Sequence, residues 1–309
     1  MKKIVYAISA FAALFSAAAK ADVAVSGSGS IAYTDASGYT HSIMGGGVSF
    51  DLSTTTDAGV SITAASGISL DKDSFANSSG STGVTAITFG FANGSITIGD
   101  DVGVPDGVGK VGELVSWADD DLRAVSNKTG LGDDEGSGIS ASTSVGDMSV
   151  KLVYVWDGAA GGSIDGAATT SQGASISMPV GDATLTLATA SDDLSGTNMT
   201  ETAGAISLPI AGGSVSVGIT STGGDTASKK GESYSAAYKT DFNGVSVGIG
   251  YTGHDAGTAK GQETNITLST SLGGGASLWA EYAATSGTIA TAAATNSNSV
   301  VAVGTSVSF

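Results

Sequence analysis

The chain has no cysteine, only three prolines and a single arginine, and charged residues make up 13% of its 309 positions. Without cysteine there is no disulfide framework, no thiol chemistry and no zinc–thiolate centre, so stability must come from the backbone ladder and packing. Few prolines and few charges, together with a positive mean hydropathy of +0.21, exclude the composition of disordered chains. Past the N-terminus no stretch reaches the roughly 18 consecutive apolar residues that a membrane-spanning helix needs. What is abundant is Gly, with 47 residues, accompanied by Ala, Ser, Thr and Val. That mixture suits closely turned strands better than a helical core.

The first residues carry an address. Met1-Lys2-Lys3 precedes an apolar run from Ile4 to Ala19 and the tripeptide Ala19-Lys20-Ala21. This is the pattern of a secretory signal peptide with an A-x-A cleavage site, so residues 1–21 are expected to leave and 22–309 to form the mature protein. Three of the 12 basic residues lie in the signal, leaving nine against 29 acidic ones and a mature net charge of −20. A nucleic-acid partner is excluded on charge.

Period-two alternation runs through the mature chain. At the C-terminus Val301, Val303, Thr305, Val307 and Phe309 share one phase, while Ala302, Gly304, Ser306 and Ser308 share the other. The same alternation sets Val245, Val247, Ile249 and Tyr251 against Ser246, Gly248 and Gly250, and Val150, Leu152, Tyr154 and Trp156 against Ser149 and Lys151. Sixteen strands are predicted, over 23–34, 43–53, 59–69, 84–92, 95–100, 138–145, 148–156, 174–179, 183–190, 202–210, 214–221, 232–240, 245–252, 263–272, 276–284 and 299–309. Seven of the joins are short turns such as Asn93-Gly94, Gly146-Asp147, Gly181-Asp182 and Asn243-Gly244. Eight longer joins alternate with them, so one rim is trim and the other carries loops. An even strand number, short turns on one rim and apolar residues on one phase predict an all-β transmembrane antiparallel barrel, its larger side chains facing lipid. A soluble barrel would place them inside.

On that phase Asp51, Lys151, Lys239, Glu263 and Glu281 point into the lumen, which is therefore net negative and favours cations. Aromatics sit near strand ends (Tyr33, Phe91, Trp156, Tyr234 and Phe242 among them), where interfacial girdles form. The join 101–137 exceeds the usual limit of about 15 residues for a structureless connection. From Asp100 to Glu135 it holds ten carboxylates, including Asp100, Asp101, Asp106, Glu113, Asp119, Asp120 and Asp121, against Lys110, Arg123 and Lys128. Interleaved Val108, Val111, Leu114, Val115, Trp117 and Leu122 give it apolar anchors against a wall. The run Asp119-Asp120-Asp121 offers oxygen ligands of the kind calcium takes, and equally reads as solvated charge. Lys72, Lys229 and Lys230 fall in the longer joins as solvated charges.

The signal peptide, the sixteen alternating strands, the acidic third loop after Gly99-Asp100, the late Leu272-Gly-Gly-Gly-Ala-Ser-Leu278 hairpin and the terminal Phe309 together resemble the general diffusion porins of alphaproteobacteria, the Rhodobacter porin type. The resemblance spans the mature chain. It implies an outer-membrane homotrimer of sixteen-stranded barrels passing small hydrophilic solutes and ions, with the third loop folded inward as the constriction. It also implies calcium near that loop, lipid contact around the wall and a terminal Phe309 read by the barrel-assembly machinery. The chain departs from the family in having no cluster of arginines to oppose the acidic loop, since Arg123 lies within the loop itself.

Other signals carry less. Gly107-Val-Gly-Lys-Val-Gly112 matches G-x-G-x-x-G but lacks the strand, helix and βαβ context of a dinucleotide site. His41 and His254 belong to no triad or metal spacing, so an enzyme is not expected and no cofactor is required. The competing reading is a secreted acidic structural or adhesive β-protein, against which stands the absence of a short fixed repeat such as G-G-x-G-x-D.

Overall fold

The computed structural model describes residues 21–36, 39–71, 84–103, 135–157, 168–194, 197–224, 230–256, 259–288 and 299–308. Among them there are sixteen strands: β1 (Ala21–Ala36), β2 (Tyr39–Thr55), β3 (Ser61–Asp71), β4 (Val84–Phe91), β5 (Gly94–Gly103), β6 (Glu135–Val145), β7 (Met148–Asp157), β8 (Ala168–Val180), β9 (Ala183–Leu194), β10 (Thr197–Ile210), β11 (Gly213–Gly224), β12 (Gly231–Phe242), β13 (Val245–Ala256), β14 (Ala259–Gly273), β15 (Ala276–Thr288) and β16 (Ser299–Ser308). Each strand pairs antiparallel with its neighbours in sequence, and β1 pairs with β16, so the sheet closes on itself. Closure leaves no strand with an unpaired edge. The predicted cleavage position at Ala21 opens β1; residues 1–20 and Phe309 lie outside the described residues.

The short turns follow their glycines. In the β12–β13 hairpin Phe242 pairs with Val245, and Asn243 and Gly244 occupy the loop with φ of 51° and 81°. Two consecutive positive φ values define a type I′ turn, whose twist matches that of the flanking strands. The Asn93-Gly94 turn differs from expectation by one residue. Phe91 pairs with Gly94, so Ala92 and Asn93 form the loop. Gly94 belongs to β5, where a Cβ would collide with the Ser142 carbonyl on β6. Its glycine thus serves close strand approach rather than the turn. Pro179 and Pro209 each stand one residue before the end of their strand, where a missing N–H disturbs the ladder least.

The opposite rim is built differently from the sequence expectation. The joins read as 35–40, 191–201 and 253–262 narrow to two residues between strand ends, because β1 and β2, β9 and β10, and β13 and β14 continue pairing up to Ala36–Tyr39, Leu194–Thr197 and Ala256–Ala259. Polar and small residues can extend a ladder as readily as apolar ones, since the backbone bonds do not depend on side-chain phase. At this rim Lys260 Nζ meets Asp255 Oδ2 at 2.5 Å across β13 and β14. The neighbouring carboxylate holds the Lys260 ammonium above its ordinary pKa through that hydrogen bond.

Register separates two faces without ambiguity. Val23, Val25, Ile31, Leu152, Ile206, Val217, Ile219, Ile249, Val301 and Val303 share the outward phase, and each is exposed. Ser30, Ser171, Thr220, Ser233, Ser235, Thr252 and Asn265 occupy the inward phase and are buried. The protein is therefore apolar outside and polar inside, the reverse of a soluble barrel. Outward aromatics stand toward both rims: Phe91 and Phe242 flank short turns, while toward the loop-bearing rim the Tyr154 and Trp156 rings lie 6.5 Å apart and those of Tyr234 and Tyr251 6.0 Å apart. No helix among the described residues is long and apolar enough to cross a membrane.

Candidate functional site: the inner wall of the barrel

The inner wall is assembled from alternate residues of all sixteen strands, so strand register alone decides what a solute inside would meet. Hydroxyl pairs between neighbouring strands dominate it: Thr88 with Thr97 at 2.8 Å, Ser95 with Ser142 at 2.8 Å, Ser207 with Ser216 at 2.9 Å and Ser277 with Ser306 at 2.6 Å. Each pair lets one hydroxyl donate and the other accept, satisfying the wall while leaving further lone pairs available for water.

Charge is distributed sparsely over this wall. By register Asp51 stands opposite Ala24 and Ala65, Lys151 opposite Ser142 and Ser175, and Lys239 opposite Ser214 and Gly248, all inward and exposed. Glu263 faces inward opposite Thr252 and Thr285, and Glu281 opposite Thr267 and Ala302. Both are buried, at 3% and 6% exposure, and both have interaction partners. Burial of this depth is compatible with a charged carboxylate only where such partners are supplied.

The wall holds carboxylates that the sequence reading did not identify. Glu201 points inward opposite Ala190 and Thr222 and is 6% exposed. Its strand was expected to begin at 202, which left Glu201 in a join; carrying the small-residue phase of Ser207, Ala205 and Ala203 back two residues would have found it. Asp22 and Asp241 also take the inward phase near the short-turn rim, where the Ser246 hydroxyl donates to Asp241. Among the described inner-wall residues six carboxylates thus face two ammonium groups, Lys151 and Lys239.

Exposure varies with height. Near the short-turn rim Asp22, Asp51, Lys239 and Asp241 are exposed, whereas farther along β7 to β16 the inward Val153, Val155, Ser171, Ala190, Thr220, Thr252, Asn265, Ala283 and Ala302 are nearly inaccessible. Val102, Val153, Val155 and Ala190 make a small apolar cluster on this inner face.

The long acidic join begins at a distortion. Pairing between β5 and β6 jumps from Gly99–Gly138 to Val102–Gly136, so Asp100 and Asp101 sit in a bulge. A bulge re-aims the chain leaving a sheet. Asp106, Glu113, Asp119, Asp120, Asp121 and Arg123 lie outside the described residues, as do Lys72 and Lys229. His41 and His254 lie within β2 and β13. Among the described residues no group of three His, Asp or Glu could hold a metal ion.

No family model matches the chain, and no curated protein matches it by sequence. Solved structures do. The anion-selective porin from Comamonas acidovorans is 17% identical, with a TM-score of 0.67 over 94% of this chain and 100% of that one. A variant of the Rh. blastica porin is 16% identical, with a TM-score of 0.66 over 93% and 100%. OmpT of Vibrio cholerae, an outer membrane protein in its trimer form, is 12% identical, with a TM-score of 0.68 over 94% and 99%. The fold is that of the sixteen-stranded porins.

Proposed function

We propose that the mature chain is a water-filled outer-membrane channel for passive diffusion of small hydrophilic solutes and ions, with a preference for cations. The observation that carries this reading is the inversion of polarity across a closed wall: valine, isoleucine, leucine and aromatic side chains outside, serine, threonine, glycine and six carboxylates inside. A secreted structural protein would gain nothing from an exposed apolar exterior, which in water drives aggregation. In a bilayer the same exterior is the solvated one.

The sign of selectivity belongs to the side chains rather than the fold, because the Comamonas acidovorans porin with this architecture is anion-selective. Six inward carboxylates against Lys151 and Lys239 support the cationic sign here, and the acidic join 101–137 adds to it in our reading as the constriction. Export through cleavage after Ala21, trimer assembly and recognition of Phe309 by the assembly machinery belong to the same proposal. They are supported by the signal pattern, by the trimer form of the Vibrio cholerae protein with this fold and by the β1–β16 seam. Planar-bilayer recording in a potassium chloride gradient tests the function. Stepwise conductance with a reversal potential favouring potassium is expected; absence of steps, or a potential favouring chloride, would overturn the channel or its sign respectively.

A further inference from the structure

The outward face of β12, β13 and β14 changes character near the loop-bearing rim. Register sets Glu232, Asp255 and Lys260 side by side at the rim, with Tyr234, Gly253 and Gln262 in the row beneath. All of them take the outward phase, so they border the membrane at the headgroup level, where tyrosines collect. The rim row is unevenly paired. Glu232 stands directly opposite Asp255, and like charges so placed repel. Lys260 Nζ meets Asp255 Oδ2 at 2.5 Å, which answers one of the two carboxylates. Lys230, two residues ahead of Glu232, is exposed, and among the described residues no ion pair joins it to Glu232.

The row beneath supplies donors, a ring and a hollow. Tyr251 Oη donates to Gln262 Oε1 at 2.9 Å. With its oxygen engaged, the Gln262 amide keeps two N–H donors on the strand and face of Lys260. The Tyr234 ring lies over Gly253 and stays 52% exposed. Below it Ala236 is exposed between Tyr234 and Tyr238 along β12, and between Val217 and Tyr251 across it. A methyl ringed by larger side chains is a notch in an apolar face. Lys260 with Gln262 thus suits an anion, while Glu232 beside the Tyr234 ring suits a cation. The two groups stand two strand spacings apart, about 10 Å between backbones. That is the reach of a phosphate and an ammonium joined by a two-carbon link, with a hydrogen bond at either end. A wholly anionic headgroup would meet the Glu232 carboxylate unneutralised, and a lone amine would leave Lys260 and Gln262 unused.

We propose that this face docks one membrane lipid whose headgroup carries a phosphate and an ammonium, of the phosphoethanolamine kind. The phosphate sits at Lys260 and Gln262, the ammonium at Glu232 and Tyr234, and an acyl chain in the notch over Ala236. The inference rests on the membrane setting of the channel reading and not on conduction. Its test uses the full-length mature protein in dodecyl maltoside, with dihexanoyl-phosphatidylethanolamine as the probe and native mass spectrometry as the readout. The probe should be retained roughly two- to fivefold more tightly than dihexanoyl-phosphatidylglycerol, which has the phosphate but no ammonium. Glu232→Gln should abolish that preference, and Lys260→Gln should weaken retention of both lipids. Both side chains are exposed, so heat-modifiable gel mobility should be unchanged, which separates loss of the site from loss of the barrel. Soluble phosphoethanolamine at the same concentration should not displace the probe, because it lacks the chain that fills the notch. Equal retention of the two lipids, or an unchanged preference in Glu232→Gln, overturns the site. Full displacement by soluble phosphoethanolamine would make the ligand a free zwitterion and overturn the lipid. Retention of phosphatidylglycerol raised to the same level by magnesium would put a metal ion in place of the ammonium and overturn the proposal as stated. A preference kept by a protein that gives no potassium steps in bilayers would leave the site standing and overturn the channel reading instead.

Discussion

Tyr234 lays its ring across Gly253, its direct partner on the neighbouring strand, so closely that a Cβ at position 253 would fall within the ring. Both residues take the outward phase. An aromatic ring over a cross-strand glycine covers backbone that would otherwise meet lipid unscreened, and fixes register at the same time. Gly253→Ala should destabilise the barrel by about 1–3 kcal/mol through overpacking. In a Tyr234→Ala background most of that cost should vanish, which a double-mutant cycle in urea measures. Equal costs in the two backgrounds would show that the ring does not confine Gly253.

The assignment of the two faces is tested by placing one charge on either phase of β13. Ile249→Arg places a guanidinium among lipid tails and should cost about 2–4 kcal/mol if the site lies near the bilayer midplane. Ser246→Arg, exposed on the opposite phase beside Asp241 and Ser269, avoids lipid and should show its effect in conductance. Folded yield in vesicles separates the two. Equal yields would mean that the phase does not correspond to lipid and lumen.

Closure of the sheet is accessible because the chain lacks cysteine, so an introduced pair has no competitor. Ser30 and Ser306 are register partners across β1 and β16 and both face inward. Ser30→Cys with Ser306→Cys should oxidise to an intramolecular bridge, seen as a faster unreduced band, while Ser30→Cys with Ser269→Cys should not. Absence of the first bridge in folded protein would open the seam. Deleting Phe309 should lower assembled protein in the outer membrane more than it changes single-channel conductance; unchanged assembly would contradict its proposed role as a signal.

Selectivity should respond to the exposed inner-wall charges. A unit charge acts on an ion 5 Å away with about 0.8 kcal/mol in water, roughly a fourfold change in local concentration before screening. Asp51→Lys should therefore shift the reversal potential toward chloride, and Lys239→Glu should shift it toward potassium, both more strongly at low salt. Shifts of the same sign for the two substitutions would show that other groups set the selectivity.

Much of this architecture is legible because the barrel writes it twice, once in side-chain alternation and once in turn residues. Phase set Asp51, Lys151, Lys239, Glu263 and Glu281 apart from the apolar face of their strands, and in the ladders their partners are Ala24, Ser142, Ser214, Thr252 and Thr267. What escaped was information the alternation does not contain. Glu201 was missed because polar residues at the loop-bearing rim continue a ladder without an apolar phase to announce it. The bulge at Asp100–Asp101 depends on the partner strand, which pairs Gly138 and Gly136 across it. The seat of Trp279 on Gly304 joins residues from two strands, and only register shows that the missing Cβ of one makes room for the indole of the other.

The wall is uneven in height, and that has a mechanical side. Among the described residues the ladder joining β1 and β2 contains sixteen register pairs, whereas those joining β4 to β3 and to β5 contain six each. Hydrogen bonds loaded in parallel share a force, so a cylinder pulled out of its surroundings parts where fewest of them stand together. Extraction should begin by tearing along one side of β4. The long hairpin beside the seam would then be the last piece to let go.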